Sequence, residues 1–269
     1  MTTLPLDRSL PAAVKPRPPL RLIALPTEHG GWGFLFEPIA LAMLVAPSWG
    51  GALISLAACF AFLTRQPLRL ALQDANRGKS YPRTRWCWIF VAIYLAAAGA
   101  SLAGAIAIGG AMMLIPLGLV APLALVQVLF DAHARGRSLL PELFGATAMS
   151  STAAAIGIAG GLRIVPAFIL SGIIICRAIP SIVYVRTLLR REHKQIVSSW
   201  PAVALQIAAI ALVASFASRL AALAMVILLV RAIWGLTHEP PRPKTLGWRE
   251  VVFGAVTVVL AAWGAWFQP

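Results

Sequence analysis

Acidic residues are nearly missing from this sequence. Asp and Glu number nine among 269 residues, against 23 Lys and Arg. Charged residues of both signs make up only 12% of the chain, 59% is hydrophobic, and the mean hydropathy is +0.82. So little polar surface could not cover a water-soluble domain of this size, which excludes a globular cytosolic protein. Cysteine is scarce as well. Cys59, Cys87 and Cys176 stand apart, with no spacing for a disulfide framework, a zinc site or a redox dithiol. They read as small packing residues.

Long apolar runs fill the space that charge leaves. Trp86–Ile108, Met112–Phe130 and Val203–Phe216, with their flanks, match a hydrocarbon core roughly 30 Å thick at about 1.5 Å per helical residue. Backbone groups in lipid must pair within their own segment, and no run alternates as a barrel strand would. The expected fold is therefore all-α, a polytopic membrane bundle of about nine transmembrane helices. The segments are 30–47, 49–64, 86–108, 110–130, 141–160, 164–185, 199–217, 219–236 and 250–267.

The cations recur on one side of these segments. Arg8, Lys15, Arg17 and Arg21 precede the first, and Arg65, Arg69, Arg77, Lys79, Arg83 and Arg85 follow the second. Arg135 and Arg137 follow the fourth, Arg186, Arg190, Arg191 and Lys194 the sixth, and Arg242, Lys244 and Arg249 the eighth. The other connections carry only Arg163 and Arg219. Cytoplasmic loops retain Lys and Arg, so the N-terminus is expected inside and the C-terminus outside, in the inner (cytoplasmic) membrane. A net charge of +14 would suggest nucleic acid in a soluble protein. Here it sets topology and attracts anionic headgroups at about 1 kcal/mol per residue, so the partner is the lipid bilayer and not nucleic acid. Trp49, Trp86, Trp88, Trp200, Trp234, Trp248, Trp263 and Trp266 fall near segment ends, as an interfacial aromatic belt requires. Residues 1–29, rich in Pro and Arg, contain no hydrophobic stretch before a cleavage site. They are expected to be a retained cytoplasmic tail leading into a single transmembrane domain over 30–269.

A weak internal echo crosses that domain. Glu28 opens the first segment and Glu142 the fifth; Arg65 and Pro67 end the second, as Arg177 and Pro180 end the sixth. Two parallel four-helix halves plus a final helix would produce this order. Shared topology alone would also produce it.

Several polar residues call for more than topology. Glu37 lies well inside the first segment and Arg177 inside the sixth, where an unpaired charge costs several kcal/mol. A Glu37–Arg177 contact across the bundle is expected, either as a functional site or as a pair that fixes helix order. Pro26-Thr-Glu28-His29-Gly-Gly-Trp-Gly33 opens the first segment. Glu28 and His29 there are candidates for moving protons, together with Asp131, although Thr27 or Glu28 would also serve as a helix cap. Arg65, Arg69, Gln73 and Asn76 recur at helical steps, with Asp74 among them, so several donors could converge on an anion. Arg137 and Glu142 in the next basic loop, and Arg177, Tyr184 and Arg186 at the end of the sixth segment, complete the candidate binding set. A phosphate or diphosphate headgroup at the interface suits it.

Four strings carry a family resemblance: Pro26 through Gly33, Arg65-Gln-Pro-Leu-Arg69, Arg137-Ser-Leu-Leu-Pro-Glu-Leu-Phe-Gly145, and Arg177-Ala-Ile-Pro180 with Tyr184-Val-Arg186. In these the chain resembles the YwiC-like family of bacterial membrane proteins, a resemblance that supplies no reaction. More distantly, nine helices with polar loops after the second, fourth and sixth resemble the UbiA-type intramembrane prenyltransferases. That resemblance implies an isoprenoid diphosphate held through Mg²⁺ by two Asp-rich motifs. The motifs are degenerate here: the first polar loop offers Asp74 with Asn76, and the loop after the sixth segment offers only Glu192. A hard cation needs several oxygen ligands, so neither metal nor cofactor is assigned. Three functions stay open: a divergent UbiA-like enzyme acting on an isoprenoid or lipid (di)phosphate; a non-catalytic binding or transport protein for a small anion or lipid; and an accessory subunit of a membrane complex, for which the sequence gives no positive sign.

Overall fold

The computed structural model describes residues 20–26, 31–136 and 138–267. Every regular element among them is a helix. A short α1 (Leu20–Ala24) precedes α2 (Gly31–Val45), α3 (Trp49–Asn76), α4 (Pro82–Gly109), α5 (Leu114–Ala132), α6 (Leu139–Ala159), α7 (Ile164–Glu192), α8 (Trp200–Phe216), α9 (Arg219–Thr237) and α10 (Pro243–Trp266). Helices α2 to α10 fall on the segments expected from the apolar runs. Six of them, α3, α4, α5, α7, α9 and α10, are long and apolar enough to cross a membrane, and α2 and α8 are shorter apolar helices. The chain is a multi-pass membrane protein.

Local chemistry sets the helix ends. Ser48 and Ser218 accept from backbone N–H groups three residues on, as N-caps of α3 and α9. Pro82 and Pro243 open α4 and α10, where a missing N–H goes unnoticed. The connections at 46–48, 110–113, 160–163 and 217–218 are tight. The basic ones, 77–81, 133–138, 193–199 and 238–242, are longer.

α3 and α7 run further than their apolar segments at their C-terminal ends, and α4 and α10 begin before theirs. α3 continues through Arg65 to Asn76 and α7 continues to Glu192. At about 1.5 Å per residue, each is some 12 Å longer than the hydrocarbon core is thick. Polar residues at helical spacing carry the helix beyond the apolar run, with Pro67 and Pro180 tolerated inside.

The core lies where α2, α6, α7, α9 and α10 meet. α6 packs on α2, α3, α5 and α7, and Ser150 through Gly157 are all buried. Small residues permit that approach. A helix so enclosed faces protein and not lipid. Most of α4 and α5 stays exposed, as lipid-facing helices should. All eight tryptophans expected at the interface are exposed near helix ends.

Candidate functional site

Consecutive helices bring the start of α2, α4, α6, α8 and α10 to the same end as the finish of α3, α5, α7 and α9. Most ion pairs between described residues lie toward that end, and the Glu37–Arg177 pair lies near the middle of its two helices. They form distinct groups.

The most deeply buried group joins four helices. Arg177 on α7 places Nε 3.0 Å from Glu37 Oε2 on α2, off the line of a hydrogen bond. Its Nη2 donates to the Glu250 backbone oxygen at 2.8 Å and stands 3.8 Å from Glu250 Oε2 on α10. Arg231 on α9 donates from Nη1 to Glu250 Oε1 and from Nη2 to Ser181 Oγ at 3.1 Å. The Arg231 guanidinium also lies 4.2 Å above the Tyr184 ring, a cation–π contact. Side-chain exposure is 3% for Arg177, 4% for Arg231, 9% for Glu37 and 16% for Glu250. Two cations and two anions thus alternate in a neutral chain. The expected Glu37–Arg177 contact is present, and it is half of this larger arrangement.

Two glycines make room for it. A Cβ on Gly254 would stand 2.1 Å from Glu37 Oε1 and 3.1 Å from Arg177 Nη2. One on Gly235 would stand 2.0 Å from the Tyr184 hydroxyl. Any larger residue would push the charged groups aside.

A second group ties α3 to α5. Arg65 Nε and Nη2 donate to the two oxygens of Asp131 at 2.8 and 3.3 Å, a bidentate fork. Gln73 and Asn76 donate to the backbone oxygens of Asp131 and Ala132. Arg65, Gln66 and Arg69 line a narrow cleft with Pro26, Gly31 and Phe62. Arg69 donates to Gln66, and Gln66 to the Leu22 backbone.

Asp74 turns the other way. It is fully buried, and its oxygens accept from Arg83 at 2.7 and 3.2 Å and from Thr84 at 2.8 Å. That saturated carboxylate does not fit a Mg²⁺ ligand. Among the described residues, no three His, Cys, Asp or Glu stand together as a metal site. Arg186 pairs with Glu142 at 2.7 Å across α7 and α6, with both side chains partly exposed. Tyr184 faces Arg231 and Gly235 instead of that pair. Glu28, His29 and Arg137 lie outside the described residues.

The candidate set thus divides. Glu37, Arg177 and Tyr184 meet in the buried network; Arg65, Arg69, Asn76 and Asp131 lie around the α3–α5 junction; Asp74, and the Arg186–Glu142 pair, stand apart. Arg231, Glu250 and Ser181 belong to the buried network although sequence reasoning did not select them. Their signal was readable. Arg231 is six residues before the end of α9 and Glu250 seven after the start of α10, so the α9–α10 hairpin sets them at one depth.

Fold and site define the class: a multi-pass helical membrane protein with ionisable groups concentrated at one end. Residues 25–157, from the approach to α2 through most of α6, match the family model described as YwiC-like protein. No curated protein and no solved structure matches the chain.

Proposed function

We propose that the chain crosses the inner membrane nine times and binds an anionic lipid or isoprenoid (di)phosphate headgroup from the cytoplasmic side. The supporting observation is the cleft in which Arg65, Arg69 and Gln66 converge beside the apolar Phe62 and Pro26. Guanidinium forks match phosphate oxygens, and an apolar wall suits the attached chain. In this reading Asp131 holds Arg65 in position, and a phosphate oxygen shares the fork. Glu28 and His29, close to Gly31 in sequence, are the candidate proton-handling groups of this reading. A UbiA-like ancestry, with two parallel four-helix halves, accounts for the order of acids, arginines and prolines. The chemistry would then be that of a divergent enzyme lacking the Asp-rich motifs.

A non-catalytic binding or transport protein is the second reading. What favours it is the buried network, since ionisable groups at that depth mark substrate or proton paths in many transporters.

Native mass spectrometry of the purified protein tests the headgroup. A phosphate-bearing lipid should be retained by the natural chain and lost from Arg65→Ala and Arg69→Ala. Equal retention in both variants, folded as judged by unfolding temperature, would overturn the cleft assignment.

A further inference from the structure

We infer that α1 is a displaceable wall of the Arg65 cleft, latched by Gln66 and Tyr94, and that a phosphate-bearing lipid enters from the membrane by pushing it aside. This deepens the headgroup reading and rests on it, although the wall itself can be tested without any ligand.

Size sets the first constraint. The cleft encloses about 20 Å³, room for one water. A phosphate, with four oxygens around its phosphorus, needs more space, so part of the lining has to move. Phe62, Arg65, Gln66 and Arg69 stand on α3, which packs against α4 and is tied to α5 by the Arg65–Asp131 fork. Gly31 begins α2, which packs on α6 and α10. The remaining lining residue is Pro26, just beyond α1.

α1 is lightly held. It has five residues, too few to stand alone as a helix. Ile23 is its buried side chain, set among Leu70 and Ala71 of α3 and Cys87 and Phe90 of α4. Two side chains reach its backbone: Gln66 Nε2 donates to the Leu22 oxygen at 3.3 Å, and the Tyr94 hydroxyl donates to the Ala24 oxygen at 3.2 Å. Both bonds are long, and neutral bonds are the weaker kind. On the outer side Leu20, Leu22 and Leu25 are exposed. Gln66 lies just past the apolar segment 49–64 and Cys87 near the start of 86–108, so α1 sits at the membrane boundary and these leucines meet lipid. The wall therefore faces the leaflet, the side from which an amphiphile arrives.

Gln66 joins wall to cleft. Its Oε1 accepts from Arg69 Nη2 at 2.8 Å while its Nε2 holds Leu22. A phosphate oxygen on Arg69 makes a charge-assisted bond and competes with that neutral amide. Once Arg69 turns to phosphate, the amide loses the partner that orients it toward α1. Occupation of the cleft and release of the latch are one event.

Cys87 is a natural reporter, being wholly buried against Ile23. Its alkylation by N-ethylmaleimide is followed in the detergent-purified full chain carrying Cys59→Ala and Cys176→Ala. Tyr94→Phe and Gln66→Ala should each speed the reaction about fivefold, the effect on local opening of losing one neutral hydrogen bond. Thr64→Ala removes a bond inside α3 only and should leave the rate unchanged. Phosphatidic acid added to the micelles should accelerate alkylation with Arg69 present and not in Arg69→Ala, and inorganic phosphate at equal concentration should have no effect. Unchanged rates in both latch variants, or an equal rise in Thr64→Ala, would overturn the wall. If Gln66→Ala does not fold, Tyr94→Phe decides. No acceleration by phosphatidic acid would overturn entry past α1, and lipid still retained in native mass spectrometry would then leave the headgroup reading standing. Equal acceleration by inorganic phosphate would assign the cleft to a soluble anion and overturn entry from the leaflet.

Discussion

Glu37 and Gly254 show how narrow the tolerances are at the buried network. The glutamate can reach Arg177 only because residue 254 has no side chain to block it. Gly254→Ala should lower stability by about 3 kcal/mol, combining overpacking with a displaced ion pair. Gly247 offers a control on the same helix, where a Cβ would meet nothing within 4 Å. Gly247→Ala should be neutral or stabilise by about 0.5–1 kcal/mol, because alanine loses less backbone freedom in a helix. Thermal unfolding of the two variants in one detergent separates a steric effect at the network from a general effect on α10. Equal losses would contradict the steric account.

Removing the charge of Glu37 is the complementary change. Glu37→Gln leaves Arg177 with the Glu250 backbone oxygen and a carboxylate at 3.8 Å. Breaking one partner of a buried pair costs about 3–5 kcal/mol, more than the pair contributes when both are replaced by apolar groups. Glu37→Gln should therefore be more damaging than Glu37→Leu with Arg177→Leu together. A double-mutant cycle on unfolding free energies checks this. Additive losses would show that the two side chains do not interact.

At the scale of helices, two ties of similar length differ in worth. Asp131 is 3% exposed beneath the Arg65 fork, whereas the Arg186 and Glu142 side chains are 23% and 34% exposed. Water and salt screen the second pair, so Glu142→Gln should shift stability by less than about 1 kcal/mol. Asp131→Asn removes charged hydrogen bonds from a buried position and should cost about 2 kcal/mol. Raising the salt concentration should erase the Glu142→Gln effect and spare the Asp131→Asn effect. The opposite pattern would mean that the α3–α5 junction does not depend on Asp131.

Much of this architecture was legible in the sequence, and particular helices show where legibility stopped. Apolar runs located α2 to α10 because lipid imposes length and hydrophobicity together. They did not show that α3 continues past Arg65 or α7 past Arg186, since beyond the hydrocarbon a helix no longer needs an apolar sequence. The α6 segment was found at 141–160 and spans Leu139–Ala159, although its serines and small residues reflect contact with helices and not lipid. At the site, the expense of an isolated charge pointed to Glu37 and Arg177 as partners. Glu250 escaped notice because it lies at a segment boundary, where an acid reads as ordinary interface. Asp74 looked available from sequence. Its saturation by Arg83 and Thr84 depends on the turn between α3 and α4, which periodicity does not describe.

Across the whole molecule, most of the costly groups lie toward one end of the bundle. The long connections at that end carry Arg and Lys, and the tight connections at the other carry almost none. Both features follow if the charged end faces the cytosol, where cations are retained and anionic headgroups lie close. Side-specific labelling of single cysteines in sealed membrane vesicles of known orientation is the most direct test. In a background with Cys59, Cys87 and Cys176 replaced, Ser80→Cys and Ser198→Cys sit on exposed basic connections, and Pro47→Cys and Met112→Cys on exposed tight ones. A membrane-impermeant thiol reagent should reach the first two only from the cytosolic side and the last two only from the opposite side. Labelling of Ser80→Cys or Ser198→Cys from the outer side would turn the charged end away from the cytosol and contradict the assignment of its headgroup site.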